Sequence, residues 1–178
     1  KQAAIKAIND GFTKYTPASG TLDLKKAICE KFKKENGLDY TPANIVISNG
    51  AKHSLVNAFQ AICNPGDEVI VPAPYWVSYP EMIKLADGVP VILNTTEEDN
   101  FKFTIDKLEA AITDKTKAIV INSPSNPTGM VYSEEELRAI AEIAVKKNIF
   151  IISDEIYERL IYDGYKHISI ASFDEKIK

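Results

Sequence analysis

Side chains with chemistry to offer gather in this sequence at the points where short apolar runs stop. The run Ile149-Phe150-Ile151-Ile152 breaks into Ser153-Asp154-Glu155-Ile156-Tyr157, which brings a carboxylate and a phenol to one place. A carboxylate holds a protonated nitrogen and a phenol donates to an oxygen, whereas the bland reading of Asp154 is a cap on the following turn. A second run ends in Asn122-Ser123-Pro124-Ser125-Asn126-Pro127-Thr128-Gly129. Pro127 holds Asn126 extended or in a cis turn and so aims its amide, unless the loop is only a turn. A third run ends in Pro72-Ala73-Pro74-Tyr75-Trp76 and carries the chain's single Trp. That indole is either a plate on which a planar ring stacks or a core anchor with its N–H satisfied. Finally, Asn49-Gly50-Ala51-Lys52 leads from a run into a helix. Free backbone N–H groups at the positive end of a helix dipole suit a phosphate, although any tight turn also favours glycine.

These groups converge only if the runs are strands of one parallel sheet. From Asn44 onward, apolar runs alternate with amphipathic segments, which is the pattern of a parallel α/β fold. Strands are predicted over 45–48, 68–71, 89–93, 118–122 and 149–153, the last as a fully buried strand. Helices are predicted over 53–63, 78–85 and 105–112, and after Ser133. There Ser133 and Glu136 form a capping box, and Leu137, Ile140, Ala141, Ala144 and Val145 repeat at helical spacing. Upstream, Ile5, Ile8 and Phe12 mark a helix over 1–12 that starts without a cap, so the amino end looks cut. Residues 15–20 read as a loop. Leu24, Ala27, Ile28 and Phe32 then form the apolar face of a helix stopped by Gly37.

Composition excludes other classes of ligand. Against 25 acidic residues stand 21 basic ones, a net charge of -4, and they are interspersed, so no face is built for nucleic acid. Neither GxGxxG nor GxxxxGK[ST] occurs, which argues against dinucleotides and nucleoside triphosphates. Cys29 and Cys63 stand alone, without metal-ligand spacing, and read as reduced core thiols; no metal is expected. No apolar run approaches the roughly 20 residues that cross a bilayer, and the first residues are no secretion signal, so a cytoplasmic location is the default.

In an open parallel sheet, ligands sit in the crevice beyond the carboxyl ends of the strands. An anion cradle, an aromatic plate, a fixed amide, a carboxylate and a phenol on that one edge suit a phosphorylated pyridine aldehyde. Its phosphate must be held, its ring stacked, its nitrogen kept protonated and its ring oxygen bonded. Pyridoxal 5'-phosphate is the ligand of that description.

The segments YTPASG, SNGAK, PAPYW, NSPSNPTG and SDEIY resemble, in order and spacing, the large domain of class I/II aminotransferases, especially bacterial aspartate aminotransferases, over essentially the whole chain. The resemblance implies a three-layer αβα fold with a mainly parallel sheet, the large domain of a pyridoxal-phosphate-dependent transferase, spanning 1–178 and incomplete at both ends. It places Gly50, Ala51 and Lys52 at the coenzyme phosphate, Trp76 on the pyridine ring, Asn126 and Tyr157 at the ring oxygen, and Asp154 at the pyridinium nitrogen. Tyr15 resembles the residue that reaches the phosphate of the neighbouring subunit, which implies a homodimer with shared sites. Trp76, Asn126 and Lys52 would also border the substrates, an amino acid and a 2-oxo acid. In similar enzymes a lysine at the position of Lys52 helps to recognise the side-chain carboxylate of acidic substrates, its bland alternative being a surface lysine at a helix start.

No catalytic residue is expected within the chain. The family's Schiff-base lysine lies in a later Ser-containing segment, expected beyond Lys178, and Lys166, Lys176 and Lys178 lack that context. The arginine for the substrate α-carboxylate and the small domain that carries it are missing too, so the chain alone is expected to be inactive. In the family, two downstream strands insert between the first strand and the fifth, which would leave 45–48 without its usual neighbours. Two rivals share the coenzyme motifs: a pyridoxal-phosphate-binding sensor domain of a transcriptional regulator, and a lyase or synthase of the same fold.

Overall fold

Of the 178 residues, the computed structural model describes 1–173 and 177, so Lys176 and Lys178 lie outside the described residues. The chain divides into two compact units, Lys1–Ser48 and Asn49–Lys178. No described helix is long and apolar enough to cross a membrane.

In the first unit, α1 (Gln2–Asn9) is shorter than the predicted 1–12, and Lys1 offers it no side-chain cap. Its apolar stripe faces outward: Ile5 is 50% and Ile8 68% exposed. Helix α2 (Leu22–Lys31) widens into a π-helical turn, Phe32–Asn36, and stops at Gly37 with φ 69°, the left-handed stop expected there. The predicted strand over 45–48 is absent from the sheet. A strand needs a ladder partner, and here the Ile47 N–H donates instead to Ser19 O at 3.0 Å. The approach is close enough to require glycine, since a Cβ on Gly20 (φ 100°) would fall 2.3 Å from Ile47 Cγ1.

The second unit holds a four-stranded sheet in the order β2-β1-β3-β4, with β1 Glu68–Ala73, β2 Val89–Asn94, β3 Thr116–Asn122 and β4 Phe150–Asp154, all pairs parallel. Side chains alternate across a strand, so each central strand feeds two cores. Val69 and Val71 of β1, with Ala118 and Val120 of β3, pack against Leu55 and Phe59 of α3 (Ala51–Ile62) and Met82 and Ile83 of α4 (Ser78–Leu85). Ile70, Ile119 and Ile121 point the other way, onto Leu108 of α5 (Ile105–Ala111) and Leu137, Ile140 and Ala141 of α6 (Glu134–Lys147). The arrangement is the three-layer αβα fold expected.

Helix α6 carries the predicted capping box: Ser133 Oγ accepts from Glu136 N at 3.2 Å while Glu136 Oε2 accepts from Ser133 N at 2.6 Å. One expectation fails at β4. It pairs only with β3 among the described strands, and Phe150 is 54% exposed, so the strand is an edge rather than a fully buried one. The two cysteines are free and half-buried, less enclosed than core thiols.

Candidate functional site

Parallel register brings the strand ends together. Along β3 and β4 the pairing runs from Ala118 with Phe150 to Asn122 with Asp154, so both strands finish level, with an amide beside a carboxylate. Beside them opens a cavity of about 210 Å3. Trp76, Asn126, Asp154 and Tyr157 line it, together with Ala51 at the first turn of α3. These are five of the residues singled out from sequence. Gly50 sits just outside as the N-cap of α3, with φ 87°, a conformation that side chains rarely adopt. The Lys52 ammonium lies 5.1 Å from the centroid of the Trp76 ring, a cation on an aromatic face. Tyr15 belongs to the Lys1–Ser48 unit, where its ring is fully exposed.

Asp154 is held at both carboxylate oxygens and at its main-chain carbonyl. The Tyr79 hydroxyl donates to its Oδ2 at 2.6 Å and the Ile156 N–H to its Oδ1 at 3.2 Å. The cap reading of Asp154 is therefore correct as far as it goes, and the same carboxylate also borders the cavity. Its main-chain carbonyl accepts from Asn122 Nδ2 at 2.9 Å and from Ser123 N at 3.3 Å. Burial pushes the Tyr79 phenol far above its ordinary range, and the hydrogen bond and negative charge of Asp154 push the same way. Tyr79 thus stays protonated as a donor, and its ring meets Trp76 edge-on at 5.5 Å. The Asn126 peptide with Pro127 is cis, one of the two conformations expected, and the Asn126 N–H donates to Asn122 Oδ1 at 2.7 Å.

Sequence reasoning missed Tyr79 and Asn122. Tyr79 stands in the first turn of a short helix whose apolar neighbours mark it as core, and nothing local announces a carboxylate 75 positions downstream. Asn122 was visible as a polar residue closing an apolar strand.

A second polar group centres on Glu155, the residue after β4. Glu155 accepts from Ser153 Oγ at 2.8 Å and Ser169 Oγ at 2.9 Å, and its Oε2 is 2.8 Å from His167 Nε2. With Glu158 it brings three possible metal-ligand atoms within 4.8 Å, but hydrogen bonds already engage the Glu155 carboxylate.

A half-buried carboxylate, an indole, an amide and a phenol surround one cavity of an α/β protein beyond the carboxyl ends of its parallel strands, the place where open parallel sheets present groups to ligands. Within that class its family is plain. The model of the family Aminotransferase class I and II matches residues 1–178, and the chain belongs to that family. It is 59% identical over 176 residues to the aspartate aminotransferase of Bacillus sp. (strain YM-2), covering 99% of this chain and 45% of that protein. It is 50% identical over 178 residues to a probable aspartate/prephenate aminotransferase of Aquifex aeolicus, covering 100% of this chain and 45% of that one. The solved aspartate aminotransferase from Thermus thermophilus with maleate superposes at TM-score 0.93 and 49% identity, covering 96% of this chain and 44% of that structure. The chain thus spans about half the length of the relatives it matches.

Proposed function

We propose that this chain is the coenzyme-binding part of an aminotransferase that uses pyridoxal 5'-phosphate to move an amino group from an amino acid, aspartate foremost, to a 2-oxo acid. The observation that carries the reading is Asp154. A carboxylate that borders the cavity and is fixed by Tyr79 at 2.6 Å fits a protonated ring nitrogen and has little to offer a neutral ligand. When bound, the coenzyme supplies an electron sink for the charge left as the substrate loses its α-proton. Asp154 holds the proton on the ring nitrogen. Asn126 and Tyr157 bond the ring oxygen, Trp76 covers one ring face, and Gly50, Ala51 and Lys52 hold the phosphate at the start of α3.

Lys52 also faces the substrate. Its ammonium, set over Trp76, matches a side-chain carboxylate, in keeping with a relative solved with maleate. In this reading the active protein is a cytoplasmic homodimer in which Tyr15 reaches the phosphate of the neighbouring subunit. The lysine that carries the coenzyme and the arginine that binds the substrate α-carboxylate come from sequence outside this chain.

The test uses the full-length enzyme, given pyridoxal phosphate, aspartate and a 2-oxo acid. Stoichiometric coenzyme and aspartate-dependent amino transfer are expected, both lost in Asp154→Ala. A full-length protein that takes up no coenzyme would overturn the proposal.

A further inference from the structure

We infer that Asn122 is a positioning residue: one side-chain amide sets the distance between Asp154 and Asn126, and hence between the contacts to the ring nitrogen and the ring oxygen. This inference rests on the coenzyme reading above. Asn122 is the last residue of β3 and pairs in register with Asp154, the last residue of β4. Beyond that point the sheet ladder ends, and main-chain groups need other partners. The Asn122 side chain supplies two of them. Its Nδ2 donates to Asp154 O at 2.9 Å, and its Oδ1 accepts from Asn126 N at 2.7 Å.

Both ends of the amide are committed, so its orientation is determined: a flipped group would set oxygen against oxygen and NH2 against N–H. No other side chain of that length does both jobs. Aspartate keeps the acceptor and loses the donor, alanine loses both, and a hydroxyl has one atom where two are needed. The two coenzyme contacts also differ in what else holds them. Asp154 has Tyr79 on its carboxylate and Ser123 N on its carbonyl, whereas Asn122 Oδ1 is the side-chain acceptor given to the Asn126 N–H, at the entrance to the loop that presents Asn126. Removing the bracket therefore frees the ring-oxygen side first, and misplacements of about 1 Å at a reacting centre cost on the order of a hundredfold in rate.

The experiment compares Asn122→Ala and Asn122→Asp with the wild type in the full-length enzyme, and reads three quantities. Hydrogen exchange of the Asn126 amide in the coenzyme-free protein should speed up by roughly tenfold or more in Asn122→Ala and stay protected in Asn122→Asp, which retains the acceptor. In both variants coenzyme Kd should rise and kcat fall by on the order of tenfold, with a smaller change in the KM for the amino donor. The pH at which the bound coenzyme changes its absorbance should also shift. Wild-type exchange at Asn126, with coenzyme Kd and the absorbance profile unmoved in both variants, would overturn the inference even if thermal stability fell. The isosteric Asn122→Asp keeps the test alive if the alanine variant folds poorly. A wild-type enzyme without coenzyme would instead overturn the coenzyme reading, and this inference with it.

Discussion

The phenol of Tyr79 and the carboxylate of Asp154 meet at 2.6 Å, tying the first turn of α4 to the last residue of β4. Tyr79 is 2% exposed, so the donor is held inside the protein while the half-buried carboxylate it meets borders the cavity. The carboxylate is thereby fixed before any ligand arrives, as the proposed role of holding a proton on a ring nitrogen requires.

Replacing Tyr79 by Phe removes that donor and keeps the ring against Trp76. A hydrogen bond to a charged group contributes about 1.5–3 kcal/mol, so the coenzyme-free protein should lose about that much unfolding free energy. Coenzyme binding should weaken as well, because Asp154 then has one restraint fewer. Denaturant midpoints and coenzyme titration measure the two effects; unchanged values for both would mean that the contact does not hold Asp154.

Two buried phenols predict an alkaline limit to stability. Burial pushes Tyr79 and Tyr132 well above the ordinary phenol value of 10.0, with Asp154 reinforcing the first and Glu136 the second. In the pH range above that value the unfolded chain gives up these protons while the folded one keeps them. The folded state therefore binds more protons there, and stability falls as pH rises. Each phenol contributes up to about 1.4 kcal/mol per pH unit above roughly pH 10. The contribution is fully present below that pH. Urea unfolding at a series of alkaline pH values should show this decline, with a shallower slope in Tyr79→Phe and in Tyr132→Phe.

Lys52 offers a prediction about substrate choice. Its ammonium lies 5.1 Å from the Trp76 ring centroid, close to the cavity yet outside the set of residues that line it. Lys52→Gln in the full-length enzyme should cut kcat/KM for aspartate by on the order of tenfold more than for an apolar amino acid, since only aspartate offers a second carboxylate. Equal losses for both substrates would assign Lys52 to the phosphate alone.

What the sequence revealed, and what it hid, follows from the distance between partners. The central strands were legible because Val69-Ile70-Val71 and Ile119-Val120-Ile121 are apolar on both faces, and α6 because Ser133 and Glu136 announce its start within three residues. The segment 45–48 and the outer face of β4 were misread for one reason: an apolar string records a preference for burial, and a neighbouring strand must still be there to satisfy it. The cavity residues could be named singly, but their supports could not. Tyr79 meets Asp154 across 75 positions and Asn122 meets it across 32; the packing of α4 on the sheet makes the first contact, and the register of β3 with β4 makes the second.

Glu136 links the stability of α6 to the site and predicts an acid limit. Its carboxylate accepts from Ser133 N at 2.6 Å and from Lys102 Nζ at 2.7 Å. Partial burial pushes this carboxyl up, but the Lys102 hydrogen bond and the Ser133 amide together outweigh burial and hold it below its ordinary value of 4.5. A lowered folded-state pKa means that the stabilisation is complete above that value and is lost as pH falls through the folded one. Glu136→Gln should therefore cost about 1 kcal/mol near neutrality, the scale of a helix cap, and lose less stability than the wild type on acidification through about pH 4. The effect should reach the strand ends. Tyr132, just ahead of the cap, donates its N–H to Ser123 Oγ at 3.2 Å, and Ser123 follows Asn122. A frayed α6 start should consequently raise amide exchange at Tyr132 and Ser123 before it touches the core strands, and exchange that rises uniformly across the sheet would reject this local coupling.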